Sequence, residues 1–178
     1  MKMPIYEFEK RRPQIDETAY VAPSAVVIGD VRIGARCYVG HGAILRGDYG
    51  TIELGQGTAV EEGVIIHARP GGLTGIGERV TIGHGAMIHN ATIESEAVIG
   101  MRATIADWSV VGEGAIIGEA ALVKNRQEIP AGKIAVGVPA RVVGPVNEEQ
   151  RALWIRGKDL YIGLCERYKK SFVEIYSE

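Results

Sequence analysis

Branched aliphatic residues recur at every sixth position along most of this chain, and this spacing constrains its fold more than any other feature. Runs of the repeat begin at Ile33, Leu54 and Ile76, and the longest continues from Ile93 to Val123. A small residue often lies four places after each aliphatic, and glycine often follows it directly, which we interpret as a corner that needs unusual backbone dihedrals. A period of six cannot keep an apolar face on a helix of 3.6 residues per turn, whereas short strands separated by corners can. The repeat therefore predicts a parallel β-helix in which each coil buries the next.

Six-residue repeats of this form resemble those of the hexapeptide-repeat superfamily. The resemblance implies three repeats per coil and left-handed winding, although the general rule for parallel crossovers favours the opposite hand. The predicted fold class is all-β, a left-handed parallel β-helix of hexapeptide repeats with a C-terminal α-helix. We assign residues 1–146 to the β-helix with its lead-in and exit strand, and residues 147–178 to a helix packed on the coil within the same domain. Asn147 is suited to cap that helix, since Gln150 follows three residues later.

The composition excludes several classes of function. The 178 residues carry a formal net charge of -2, without the basic excess that nucleic acid or an acidic membrane surface attracts. No apolar run is long enough to span a bilayer, and the N-terminus lacks the apolar segment of a signal peptide. Cys37 and Cys165 are too few and too far apart for a disulfide framework or a zinc knuckle. We therefore expect a cytoplasmic protein with no nucleic acid partner and no membrane partner.

Counting three repeats per coil brings two of the four histidines into one column. Arg46, His67 and His89 each directly follow an aliphatic residue on the same face, in the slot that glycine usually occupies. Because coils stack ~4.8 Å apart, His67 and His89 are expected to share an ion at the Zn–N distance of ~2.0–2.1 Å. His84 lies around a corner on the preceding face, with His41 in register, so we expect a neighbouring chain to supply His84 and assign His41 a surface or interface role. Three chains around a threefold axis would form three such sites, each with a fourth tetrahedral position for water.

A more specific resemblance rests on three segments: LRGD (Leu45 to Asp48), VEEGVIIH (Val60 to His67) and HGAMIH (His84 to His89). They are similar to the gamma class of carbonic anhydrases, and the resemblance covers most of the chain. It implies a homotrimer in which His67, His84 and His89 bind zinc, or iron or cobalt, between subunits. It also implies that metal-bound hydroxide attacks carbon dioxide. The expected enzyme is a zinc-dependent lyase whose small-molecule substrates are carbon dioxide and bicarbonate.

Other residues near these histidines are candidates for catalysis or for the interface. Arg46 and Asp48 match the family's Arg-Gly-Asp element, which implies an ion pair at the trimer interface. Glu61 and Glu62 stand where the family commonly has Gln followed by Asp, and Ala59 replaces a common Asn. An ionised Glu61 only accepts hydrogen bonds, so three roles stay open for it: a general base toward the bound water, a charge that repels an anionic product, or an ordinary solvated acid. Arg46, Glu61 and Glu62 are the candidate catalytic residues.

The segment ARPGGLTG (Ala68 to Gly75) interrupts the repeat directly after His67. It contains no carboxylate, whereas efficient members of the class can use a long acidic loop to move protons, so we expect slow or absent hydration. Leu73 and the neighbouring glycines suit a mobile apolar lid instead.

Two other functions stay open. Many hexapeptide-repeat proteins transfer acyl groups from coenzyme A with one histidine as general base, and the same metal could hydrolyse a thioester, so an acyltransferase or a thioesterase is one alternative. The other is a non-catalytic metal-binding scaffold, which Glu61 in place of Gln supports. Tight metal retention without coenzyme A affinity would argue against acyl transfer.

Overall fold

The computed structural model describes residues 4–175, so residues 1–3 and 176–178 of the two predicted ranges lie outside the described residues. The predicted fold class is confirmed: parallel strands stack into a β-helix of hexapeptide repeats that is followed by a C-terminal helix. The strands, in chain order, are β1 (Ile5–Tyr6), β2 (Gln14–Ile15), β3 (Tyr20–Val21), β4 (Val26–Ile33), β5 (Tyr38–Val39), β6 (Ile44–Leu54), β7 (Ala59–Val60), β8 (Ile65–His67), β9 (Leu73–Ile76), β10 (Thr81–Ile82), β11 (Met87–His89), β12 (Thr92–Ile93), β13 (Val98–Ile99), β14 (Thr104–Ile105), β15 (Val110–Val111), β16 (Ile116–Ile117), β17 (Leu122–Val123), β18 (Glu128–Ile129), β19 (Lys133–Val136) and β20 (Arg141–Pro145).

The strands form three faces of the coil. Face 1 contains β3, β5, β7, β10, β13, β16 and β19. Face 2 includes β8, β11, β14 and β17, and face 3 includes β9, β12, β15 and β18. The long strands β4 and β6 belong to both faces 2 and 3, because β6 pairs with β8 through its first half and with β9 through its second half. At the C-terminal end of face 1, β20 pairs with β19 in the antiparallel direction.

The aliphatic residue of each repeat points into the coil. On faces 1 and 2 these side chains have no exposed surface at Val39, Val60, Ile82, Ile99, Leu45, Ile66, Ile88 and Ile105. Each covers the aliphatic residue of the coil before it, which is how a chain with few aromatic residues fills its core.

The glycine that directly follows many of these aliphatic residues has a different role from the expected one. Positive φ angles occur three places after the aliphatic residue, for example at Gly42, Gly63 and Arg102. At Gly55 and Gly112, which directly follow an aliphatic residue, a Cβ atom would lie 2.5 Å from a backbone atom of the next coil. The interpretation of this glycine as a residue with unusual dihedrals is therefore wrong. It is needed because adjacent coils approach too closely there for any side chain.

The C-terminal helix, α1 (Glu148–Ser171), lies against the outside of face 1. The predicted cap is confirmed, since the Asn147 side chain accepts a hydrogen bond from the Gln150 backbone and the Gln150 side chain accepts one from the Asn147 backbone. The helix ends earlier than predicted, because the backbone is extended at Phe172. Within residues 4–175, no helix is both long enough and apolar enough to cross a membrane.

Candidate metal centre

Two histidines at the ends of adjacent strands, His67 and His89, are in direct contact. Parallel pairing of β8 with β11 puts them in register, one above the other. The Nδ1 atom of His67 lies 3.0 Å from the Nε2 atom of His89. Two nitrogens that share a tetrahedral zinc ion at ~2.0–2.1 Å each are about 3.4 Å apart. The separation in the protein is close to that value, and we call these residues the strand-end pair.

Each ring of the strand-end pair is held at its other nitrogen by an aspartate. The Nε2 atom of His67 lies 3.0 Å from Oδ1 of Asp48. The Nδ1 atom of His89 lies 2.6 Å from Oδ1 of Asp107. The two carboxylates therefore lie on the outer sides of the pair, and the nitrogens that face each other are the inner ones.

Both aspartates are held in the ionised form by arginine. Burial opposes ionisation of Asp48, but hydrogen bonds from Arg46 and His67 keep the pKa of this carboxyl below its usual value. The Arg46 guanidinium donates to Asp48 at 2.6 Å, so the two residues of the expected interface ion pair contact each other within one protomer. Hydrogen bonds from Arg69 likewise lower the pKa of Asp107. Because an ionised carboxylate can only accept, each outer nitrogen of the strand-end pair carries the hydrogen.

The inner nitrogens consequently present lone pairs to each other across 3.0 Å. This contact is repulsive unless a proton or a metal cation lies between them. Burial lowers the pKa of His67, which disfavours a shared proton at neutral pH. The donor set therefore fits a divalent transition metal, for which neutral imidazole is a preferred ligand.

The third candidate ligand, His84, does not reach the strand-end pair of its own chain. It occupies the corner after β10, with Nε2 at 3.1 Å from Oε2 of Glu61 and Nδ1 at 2.9 Å from Oε2 of Glu62. Its side chain is 47% exposed. Across residues 4–175, no three ligand-type side chains of one chain converge on a point that would hold a metal ion. The site between subunits that the sequence predicts, with His84 supplied by a second chain, stays a prediction.

Tyrosine side chains contact both of the glutamates beside His84. The hydroxyl of Tyr38 donates to Oε1 of Glu62 at 2.9 Å. Burial, followed by the charge of Glu61, raises the pKa of the Tyr161 hydroxyl, which places this helix residue against Glu61. The C-terminal helix thus contacts Glu61, which in turn contacts His84 at the corner.

Curated relatives of the chain include proteins named gamma carbonic anhydrase. No protein-family model matches the chain. The mitochondrial protein "Gamma carbonic anhydrase 1" of Arabidopsis thaliana is 37% identical over 164 residues, which are 89% of this chain and 60% of that protein. Carnitine operon protein CaiE of Escherichia coli O157:H7 is 39% identical over 148 residues, which are 83% of this chain and 76% of that protein. The chain belongs to the gamma carbonic anhydrase-like family of hexapeptide-repeat proteins.

A solved structure extends the likeness to three dimensions. A hexapeptide transferase family protein from Anaplasma phagocytophilum, 32% identical, superposes with a TM-score of 0.90 over 94% of this chain and 99% of that one. The chain spans less than two thirds of the length of the plant gamma carbonic anhydrase named above, namely 60%.

The loop that follows His67 differs from the expectation. The repeat is interrupted only over residues 68–72, because Leu73 begins β9 and pairs with Thr51 of β6. Leu73 is half exposed but belongs to a paired strand. The expected mobile apolar lid is therefore wrong, since the backbone of Leu73 is paired with β6.

Two residues on the outer side of His89 were not predicted from the sequence. Arg69 donates to both carboxylate oxygens of Asp107, at 2.8 Å each. Asp107 in turn contacts His89. A signal for Asp107 was present, because it lies two places after Ile105 on the face that carries His89, one coil further on. Arg69 had no such signal, since it lies in the loop where the repeat is interrupted.

Proposed function

We propose that this protein is a homotrimeric, metal-dependent enzyme of the gamma carbonic anhydrase type that hydrates carbon dioxide at sites between its subunits. Each site would combine His67 and His89 of one protomer with His84 of another. The observation that carries the proposal is the contact between the inner nitrogens of the strand-end pair, which needs a cation. We propose zinc, with iron or cobalt as alternatives. Such a metal supplies a nucleophilic water at neutral pH.

The outward surface of face 2 supports association beside the strand-end pair. Ile65 and Met87 lie two residues before His67 and His89, and their side chains are 39% and 46% exposed. They are adjacent in register, so they form an apolar stripe along the strands that carry the histidines. Contact with another protomer would remove this stripe from water at the point where the third ligand is needed.

The coil repeat also makes the contact complementary in charge. Glu62 lies one coil before His84 on the corner, and Arg46 lies one coil before His67 on the strand. An arrangement that brings His84 of one protomer between His67 and His89 of the next therefore brings Glu62 between Arg46 and His67. The carboxylate of Glu62 would then lie near the guanidinium of Arg46, and this pairing of opposite charges favours the proposed register.

Within the site, the residues of this chain have separate roles. We assign Glu61 the role of proton acceptor, because its carboxylate is only 9% exposed and lies beside His84. Arg46 holds Asp48, and Asp48 orients His67. The loop of residues 68–72 offers no carboxylate that would carry the proton onward, so we expect slow turnover.

The direct test is metal analysis of the purified protein combined with stopped-flow hydration of carbon dioxide. We expect about one metal ion per protomer, a trimer in solution, and loss of metal and activity in His84→Ala. His41→Ala is the matched control, because His41 bonds instead to the Ser24 hydroxyl at 2.8 Å and should leave the metal in place. Metal retained at the normal level in His84→Ala would refute the proposed site.

Mixed trimers test whether the site is shared between subunits. His84→Ala retains the strand-end pair but lacks His84. His89→Ala retains His84 but lacks half of the strand-end pair. Refolding the two together should restore about one quarter of the sites, since one interface in four then combines the intact parts. Recovery of no metal in the mixture would show that both parts act within one chain.

Acyl transfer is the second candidate, favoured by the structural likeness to a hexapeptide transferase family protein. Acetyl coenzyme A binding that persists after metal removal would support it. A trimer that binds metal but neither hydrates carbon dioxide nor hydrolyses a thioester would favour the scaffold.

A further inference from the structure

Asp107 receives hydrogen bonds from two side chains that lie on different coils. Its Oδ1 atom lies 2.6 Å from Nδ1 of His89 and 2.8 Å from Nε of Arg69. Its Oδ2 atom accepts from Nη2 of Arg69 at 2.8 Å. The carboxylate is 10% exposed, so water cannot readily replace these donors. With both oxygens occupied by the arginine fork, the carboxylate has one orientation.

That orientation decides which nitrogen of His89 carries the hydrogen. A carboxylate paired with arginine can only accept, so Nδ1 of His89 must donate to it. In a neutral imidazole the other nitrogen then has the free lone pair. For His89 that nitrogen is Nε2, which faces His67 across the position proposed for the ion.

Arg69 is itself held in place from two sides. Its guanidinium carbon lies 5.2 Å from the centre of the Trp108 ring, within the range of a cation–π contact. Its backbone nitrogen donates to the Asn90 side chain at 3.3 Å. The loop after His67 thus places the Arg69 guanidinium beside Asp107, on the side of His89 that faces away from His67.

We propose that Asp107 is a positioning residue that fixes His89 in the tautomer presenting Nε2 to the metal, and that Arg69 holds Asp107 in this role. The inference deepens the proposed function, and the metal in it rests on that function. The assignment of the tautomer does not depend on turnover. Carboxylates that orient ligand histidines typically change metal affinity ~10–100-fold when they are removed.

Asp107→Asn tests the proposal with almost no change in shape. An amide can donate as well as accept, so it no longer dictates the position of the hydrogen on His89. We expect nitrogen NMR of the metal-free trimer to show His89 protonated at Nδ1 in the unaltered protein and as a mixture of tautomers in the variant. We also expect zinc affinity, measured by competition with a chelator, to fall ~10–100-fold.

Asp159→Asn is the matched control, because it removes the same charge from a residue that pairs with Arg79, away from the site. It should change neither measurement. Arg69→Gln provides a second variant that leaves the buried carboxylate in place, and it should shift the His89 tautomer in the same direction.

An unchanged His89 tautomer in both Asp107→Asn and Arg69→Gln would overturn the inference, as would unchanged zinc affinity in a protein that binds zinc. If the unaltered protein binds no metal at all, the proposed function fails. The NMR measurement on metal-free protein would then still decide the tautomer assignment.

Discussion

The strand-end pair and the corner histidine are both held by carboxylates, but in opposite ways. His67 and His89 each give one nitrogen to an aspartate and keep the other free toward a shared point. His84 gives both nitrogens to Glu61 and Glu62. One protomer therefore contains a preorganised half of the proposed site, whereas His84 would have to exchange a carboxylate contact for a metal contact in the proposed trimer. Register within one chain places two of the proposed ligands together, and the proposed third ligand would have to come from another subunit.

The largest effect is expected from removing half of the preorganised pair. His67→Ala should weaken zinc binding by more than the ~10–100-fold that loss of a supporting residue causes, because a ligand itself is lost. Chelator competition would measure the change, and sedimentation would show whether the trimer persists. A zinc affinity as high as that of the unaltered protein would mean that the strand-end pair does not bind the ion.

A smaller effect is expected from changing what surrounds the corner histidine. Glu61→Gln should lower the hydration rate about 100-fold while metal content stays the same, because general bases contribute roughly that factor. Glu119→Gln is the control, since Glu119 is an exposed corner residue two coils beyond His84. A faster Glu61→Gln enzyme would instead show that the carboxylate repels bicarbonate.

The smallest effect concerns acid stability of the metal-free protein. Burial puts the pKa of His67 below 6.5 in the folded state, so the unfolded chain binds more protons and stability falls as the pH drops below 6.5. The lowered pKa values of Asp48 and Asp107 add a second loss as the pH falls through and below 3.8. We expect the melting midpoint in chelator to fall by about 2–4 °C between pH 7 and pH 5.5. His67→Ala should abolish this first step, and a midpoint that rises over the same range would contradict the assignment.

The sequence predicts the fold well because one period fixes both the strands and their register. Once Leu45, Ile66 and Ile88 are aligned, the residue after each follows, so the column of Arg46 and the strand-end pair needs no further information. The helix cap is equally local, since it depends on residues three apart.

Contacts that cross coils outside the repeat were not predictable in the same way. Arg69 reaches Asp107 from an irregular loop, 38 residues away along the chain. Leu73 was misread for a related reason, because its partner is the second half of a strand that continues past a corner. The sequence predicts inward-facing residues by counting, but the path of a loop side chain depends on three-dimensional packing.

The glycine corners have a consequence for the ion that the coil would accept. At Gly55 and Gly112 a side chain would collide with the next turn of the backbone, so these residues permit the close pitch that strand pairing sets. Pitch in turn sets the gap between two imidazoles stacked on successive turns. A side chain at one of these glycines would push successive turns apart, so it would change the ionic radius that fits the proposed site without touching the site itself.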